Sequence, residues 1–505
     1  MAHRRRQARR GRTFRPRAMR RGRPPAVTST RGSSISPRSR VSGRRRSRRF
    51  SAGSPAPDAI PDAAPEQAPE AAAPETASRT GPDAGPAPDA RPDAPPDRRG
   101  LPSPLLVHLA AASSSYGQAI AMAAAADDPR FPWTPGALPE GRASGRDMRA
   151  TGDDAPFAVA AEAARRLREM IEGIERYQAH PWTRPLADPP TVWSAGSARL
   201  LDYGAEAPPG ATPIMVTPSL VNRAYILDLH PDRSLLRWLA GQGFRPLLLD
   251  WGLPEGPEQG FDLSAYFRDR LLPATEAAAE LAGRPPAALG YCMGGAFAAA
   301  LAARRPDLVS RLALIGAPWD FGNLSGLGGA IAALAAREDP ETISARLMGL
   351  GEALGAVPVD ALQLLFAALD PTLALRKFRR FAALAPDDPD VEIFAATEDW
   401  LNDGVTMAAP AARDVAIGWY MRNLTARGEW ILDGEPVVPE AIEAPALAFC
   451  SVSDRIAPPD CAEALPRAIP GAGLRRPRTG HVGMIVGSSA ERTVWRPLAR
   501  FIAGE

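Results

Sequence analysis

The sequence predicts an α/β fold: a mostly parallel sheet covered by helices on both faces, interrupted by a helical insertion and preceded by a disordered tail. Three observations carry that prediction. From about residue 190 to 320, short continuously apolar runs alternate with helix-length segments, the pattern of strands buried on both faces. The alternation stops over 324–430 and resumes at Pro445. The first hundred residues carry no apolar pattern able to build a core.

The tail divides in two. Residues 1–50 hold 19 of the 60 basic residues and no Asp or Glu, and residues 51–99 form an extended Pro/Ala/acidic linker. An idle solvated tail accounts for the Arg-rich arm; the functional alternative is polyanion contact by phosphate neutralisation. No apolar stretch follows the arginines as a secretory signal would require. Residues 101–505 carry 37 basic against 48 acidic residues, a formal charge of −11. The overall +3 is therefore an average of two unlike pieces, and the chain as a whole does not read as a basic nucleic-acid-binding protein.

Residues 100–180 read as an N-terminal helical region. The stretch 100–126 has no formal charge and is long enough to span a bilayer. Ser113, Ser114, Ser115, Gln118 and many alanines make it too weakly apolar for that, and it reads as a helix covering a hydrophobic surface. Residues 156–177 repeat apolar positions at helical spacing behind a first-turn proline.

The first part of the α/β core spans 181–323. Within it, 191–204 reads as a strand pair, 212–218 as a buried strand, 231–243 as a helix ending at Gly243, and 245–252 as another strand. A helix over 264–283 is expected to bend at Pro273. Strand 286–291, helix 294–305 and strand 309–318 follow. The cap insertion, 324–430, is helical and rich in Trp, Phe and Met. The second part of the core, 431–505, supplies a strand at 445–454, a helix at 459–468, a short strand at 474–479 and a final helix at 490–503.

Chemistry concentrates at Gly290-Tyr291-Cys292-Met293-Gly294-Gly295, between an apolar strand and an Ala-rich helix. This is the nucleophile-elbow pattern of the α/β-hydrolase fold with Cys in the Ser position. Small flanking residues relieve a sharp strand-to-helix turn, and the positive helix end favours a thiolate. The plain alternative is a tight turn holding a structural cysteine. A nucleophile needs a base, and of five histidines His481, after the last strand, stands where the order nucleophile–acid–histidine puts it. Asp454, closing the strand before it, is the expected acid, with Asp460 the rival inside the next helix. Backbone N–H groups of Met293 and of the 218–222 loop, taken as Val221, would form an oxyanion hole. Three cysteines (Cys292, Cys450, Cys461) are too few for a disulfide framework or a Cys-based zinc cluster. No metal site, phosphate loop or nicotinamide fingerprint occurs, so no cofactor is expected.

These residues resemble the poly(3-hydroxyalkanoate) synthases. The cysteine box at 290–295, the stretch from Asn222 to Ser234, Leu249-Asp250-Trp251-Gly252, Glu398-Asp399-Trp400-Leu401-Asn402-Asp403 and Gly480-His481-Val482-Gly483-Met484 all look like that family's motifs, over roughly 180–505. His230 departs from the pattern, where Gln is expected. The resemblance implies an acyltransferase that takes 3-hydroxyacyl groups from CoA thioesters through an acyl-cysteine to a growing polyester. It would work in the cytoplasm at a polyester granule surface, as a homodimer or with a partner subunit. Trp319, Phe321, Phe394, Trp400, Trp419 and Tyr420, in or leading to the cap, would keep water from the acyl-enzyme. A thioesterase, esterase or polyester depolymerase of the same fold is the alternative, and a catalytically idle granule-binding scaffold is the alternative of another class.

Overall fold

The computed structural model describes residues 100–505 except 124–127, 129–137, 323–328, 330–336, 362, 365–369 and 371. The Arg-rich arm and the acidic linker lie outside the described residues. Three helices come first: α1 (Leu105–Ala123), α2 (Leu138–Thr151) and α3 (Ala155–Gln178). The core then opens with the antiparallel pair β1 (Thr191–Ala195) and β2 (Ala198–Asp202), followed by β3 (Pro213–Thr217). A small ribbon, β4 (Asp228–His230) and β5 (Arg233–Ser234), precedes α4 (Leu235–Gly241) and β6 (Arg245–Asp250). Next come α5 (Leu263–Tyr266), a π-helical turn (Phe267–Leu271) and α6 (Leu272–Ala282). Strand β7 (Ala287–Tyr291), helix α7 (Met293–Arg304) and strand β8 (Arg311–Ile315) complete this half.

The described part of the cap contains α8 (Pro340–Leu354), α9 (Leu373–Ala382), α10 (Asp390–Asn402) and α11 (Ala409–Arg413), the last running into a π-helical segment (Asp414–Met421). A hairpin, β9 (Ile431–Leu432) with β10 (Glu435–Pro436), leads back to the core at β11 (Ala446–Phe449). Then follow α12 (Pro459–Ala462), α13 (Ala464–Ala468), β12 (Gly473–Arg475), α14 (Gly483–Val486) and α15 (Arg496–Ala503).

Eight strands form one sheet in the order β1-β2-β6-β3-β7-β8-β11-β12, parallel from β6 to β12. Every residue of β3, β7 and β11 is buried, which is why these strands read as unbroken apolar runs. α7 lies against one face, with Phe297, five of its alanines and Leu301 fully enclosed. α4, α14 and α15 cover the other.

Four sequence expectations shift. The helix placed at 231–243 begins only at Leu235, because Ser234 caps it by accepting the Arg237 N–H, and 231–234 turn within the ribbon. The helix at 459–468 is two short helices joined at Glu463, whose carboxylate binds Arg467 and Arg476. The strand at 474–479 is only Gly473–Arg475. The helix expected to bend at Pro273 loosens into a π turn one residue earlier than α6, where the proline cannot donate. The uncharged segment does form a helix over an apolar surface: α1 packs on α3 and α9, burying Ala112, Met170, Tyr177, Phe378 and Phe381 together. No helix among the described residues is long and apolar enough to cross a membrane.

Candidate active site

Cys292 alone makes the turn between β7 and α7, at φ 54° and ψ −129°. Holding a non-glycine residue there costs about 1–3 kcal/mol. The surrounding glycines are required by contact. A Cβ on Gly290 would lie 2.4 Å from the Gly295 Cα, and one on Gly295 would lie 2.3 Å from the Ala317 Cβ. A Cβ on Gly294 would meet the backbone oxygens of Thr217 and Pro218 at 2.1 and 2.4 Å. Gly294→Ala should therefore lower stability by about 1–3 kcal/mol, as overpacking against fixed backbone does. Thermal unfolding checks this; an unchanged Tm would show that the 217–218 loop yields freely.

The other two residues converge on the elbow from the far half of the chain. His481 Nδ1 bonds Asp454 Oδ2 at 2.7 Å, and Asp454 Oδ1 accepts the N–H groups of Ile456 and Ala457 at 2.8 and 2.9 Å. Both side chains are buried. Burial would lower the His481 pKa, but Asp454 first, and then Cys292, outweigh it and raise the imidazole pKa well above its usual range. Its Nε2 has no oxygen or nitrogen partner among the described residues. The Tyr291 ring tilts against the imidazole at 5.3 Å. Asp460, the rival acid, lies in the first turn of α12, and it is Asp454 that bonds His481. Cys450 and Cys461 are buried thiols, both pushed up to about 12 mainly by desolvation.

A cavity of about 790 Å³ opens above Cys292, lined by Met293, Val221 and His481 from the core and by α9, α10 and the π segment of the cap. Phe321, Phe394, Trp400, Trp419 and Tyr420 line it. Trp319 does not: it packs beneath, against Trp430 at 5.9 Å. Phe321 stacks on Trp419 at 5.5 Å and meets Tyr420 edge-on at 4.6 Å, so the roof over the thiol is aromatic and closely packed. Arg455, next to the acid, reaches up to Asp370, which also holds Arg376 and so ties the acid loop to the cap.

The expected oxyanion donors differ. Met293 is the first residue of α7, so its N–H has no acceptor within the helix. The Val221 N–H, by contrast, already donates to Ser219 Oγ at 3.2 Å. His230 is remote from the chemistry: buried, stacked on Trp182 at 5.9 Å and bonded to Glu392 at 3.3 Å. The stretch around it supports the fold, because the buried Asp228 carboxylate collects Arg184, Arg237, Ser234 and Tyr203.

Residues 276–488 match the family model of the alpha/beta hydrolase fold. A poly(3-hydroxyalkanoate) polymerase subunit PhaC from Haloferax mediterranei is 30% identical over 317 residues, 62% of this chain and 63% of its own length. Its counterpart from Haloarcula marismortui is 29% identical over 61% of this chain and 66% of its own, and that from Allochromatium vinosum 27% identical over 60% and 85%. Over this span the chain is similar to the poly(3-hydroxyalkanoate) polymerase subunits. It spans somewhat less than two thirds of the two haloarchaeal synthases' length.

Two residues that hold this site carry no motif signal. Gly316, after β8 at φ 58°, lies where a Cβ would come within 2.8 Å of the His481 ring. Ser451 Oγ donates to the Thr479 carbonyl and accepts the Ser453 and Thr479 N–H groups, clamping the acid loop to the histidine loop. A glycine directly after a core strand was the available hint for the first. A serine three residues before the acid offers none.

Proposed function

We propose that this chain is a polyester synthase that transfers 3-hydroxyacyl groups from CoA thioesters, through an acyl-Cys292, to a growing poly(3-hydroxyalkanoate) chain. The observation that carries this reading is a strained elbow cysteine facing a buried His–Asp pair beneath an apolar aromatic roof. Likeness to the polymerase subunits supports the polymer class.

His481 takes the thiol proton, and the thiolate attacks the thioester carbonyl. The oxyanion collapses, and the CoA thiolate leaves with the proton from the imidazolium. Acylation removes the Cys292 charge, one of the influences that raise the His481 pKa, so the imidazole becomes a base suited to the next step. It then deprotonates a 3-hydroxyl, which attacks the acyl-cysteine; Asp454 orients the ring and balances its charge throughout. Thioester-to-thioester exchange is nearly isoenergetic, so activation is kept until the hydroxyl arrives. The aromatic roof makes water scarce around the acyl-enzyme. The word "subunit" in the relatives' names is compatible with a partner chain or a second copy for this one too.

The product decides between synthase and hydrolase. With 3-hydroxybutyryl-CoA, mass spectrometry should show ester oligomers appearing as CoA is released, with free acid the minor product. Monomeric 3-hydroxy acid as the dominant product at every substrate concentration would favour the thioesterase reading.

A further inference from the structure

We infer that the second oxyanion donor is the hydroxyl of Ser219 rather than the backbone N–H of Val221. The inference rests on the acyl-cysteine reading and names a further catalytic residue within it. Ser219 follows β3 by two residues, and the preceding backbone is fixed: the Pro218 carbonyl accepts Trp251 Nε1 at 3.1 Å, and the Thr217 and Pro218 oxygens abut Gly294 so tightly that no Cβ fits between. Ser219 is thereby held beside the start of α7 and lines the same cavity as Cys292, Met293 and His481. It is 94% buried, with 6% of its surface exposed.

Its hydrogen bonding is one-sided. Oγ accepts the Val221 N–H at 3.2 Å, while no acceptor among the described residues takes the Ser219 O–H. A hydroxyl carries one donor and two acceptor positions, so the donor is left for whatever occupies the cavity. Accepting from an amide polarises that O–H and strengthens it as a donor. The Val221 N–H then acts through Ser219 instead of touching substrate. The tetrahedral intermediate would receive the Met293 N–H from one side and the Ser219 O–H from the other. No proton is transferred to the oxygen; both donors release it as the carbonyl reforms.

Ser219→Ala separates this from its rivals. Burst CoA release from 3-hydroxybutyryl-CoA and burst p-nitrophenol release from p-nitrophenyl acetate both pass through a tetrahedral oxyanion; alkylation of Cys292 by iodoacetamide does not. Ser219→Ala should slow both acylations on the order of 10²-fold, mainly in kcat, and leave alkylation within about twofold. Ser219→Thr, which keeps the hydroxyl, should recover most of the loss. Unchanged or faster acylation by Ser219→Ala would overturn the assignment, since the freed Val221 N–H would then be the donor. A parallel fall in alkylation would overturn it too, reducing Ser219 to support of the site. If the wild-type protein releases no CoA but is acylated by the p-nitrophenyl ester, the synthase reading fails while the ester still decides the role of Ser219. If neither compound acylates it, both fall.

Discussion

Cys292→Ala is expected to abolish CoA release, a loss of about 10⁶-fold by analogy with removing the nucleophile of a triad hydrolase, while the protein stays folded. Alanine keeps the Cβ and therefore the same backbone strain at φ 54°, so Tm should move little. The other two thiols cannot substitute. Cys450 and Cys461 are enclosed and hold their protons up to about pH 12, and neither lines the cavity. Cys292→Ser gives an intermediate result for a chemical reason. A hydroxyl needs far more help from His481 to attack, and the oxygen ester it forms has little downhill drive toward another hydroxyl. Slow acylation with almost no chain growth is expected. Substantial turnover by Cys292→Ala would remove this residue from the reaction altogether.

Asp454→Asn should cost about 10³–10⁴-fold in kcat, the scale seen when the acid of a triad is neutralised and the imidazole settles in the wrong tautomer. It also changes a titration in a definite direction. Asp454 is the strongest of the influences that raise the His481 pKa against burial, so its removal must lower that pKa. The imidazole of the variant therefore releases its proton at lower pH than that of the wild-type protein. The Cε1 resonance of labelled histidine follows this directly, with only five histidines to assign. A His481 titration that stayed in place would mean that the 2.7 Å contact carries no charge.

Much of the core was legible because its strands are buried on both faces and so read as continuous apolar runs. The elbow was legible because its glycines are demanded by backbone contacts that no other residue satisfies. Asp454 and His481 could be placed because each follows a core strand, where the order of the fold fixes what must come next. What escaped depends on contacts between side chains and distant backbone. The ribbon at 228–234 is held by one buried carboxylate, and a helical pattern that starts at Pro231 does not reveal it. The Val221 N–H looked free because chain position says nothing about a serine two residues earlier. Trp319 looked like a roof aromatic, yet it packs on Trp430 and does not line the cavity, as Phe321 and Trp419 do.

The attachment of the first helices has a mechanical consequence. Arg176 bonds the carbonyls of Phe381 and Leu384, Tyr177 donates to Asp399, and the Ser103 N–H bonds Asn402. α1 and α3 thus belong, by their contacts, to the cap, although a stretch of 181–190 joins them covalently to the sheet. The roof is consequently moored to the floor by three lengths of backbone instead of two. A flap on two tethers swings about the line between them. One moored at a third place must lift as a plate or shed α3 first, and anything that tugs on Gly100 loads the roof before it loads the nucleophile.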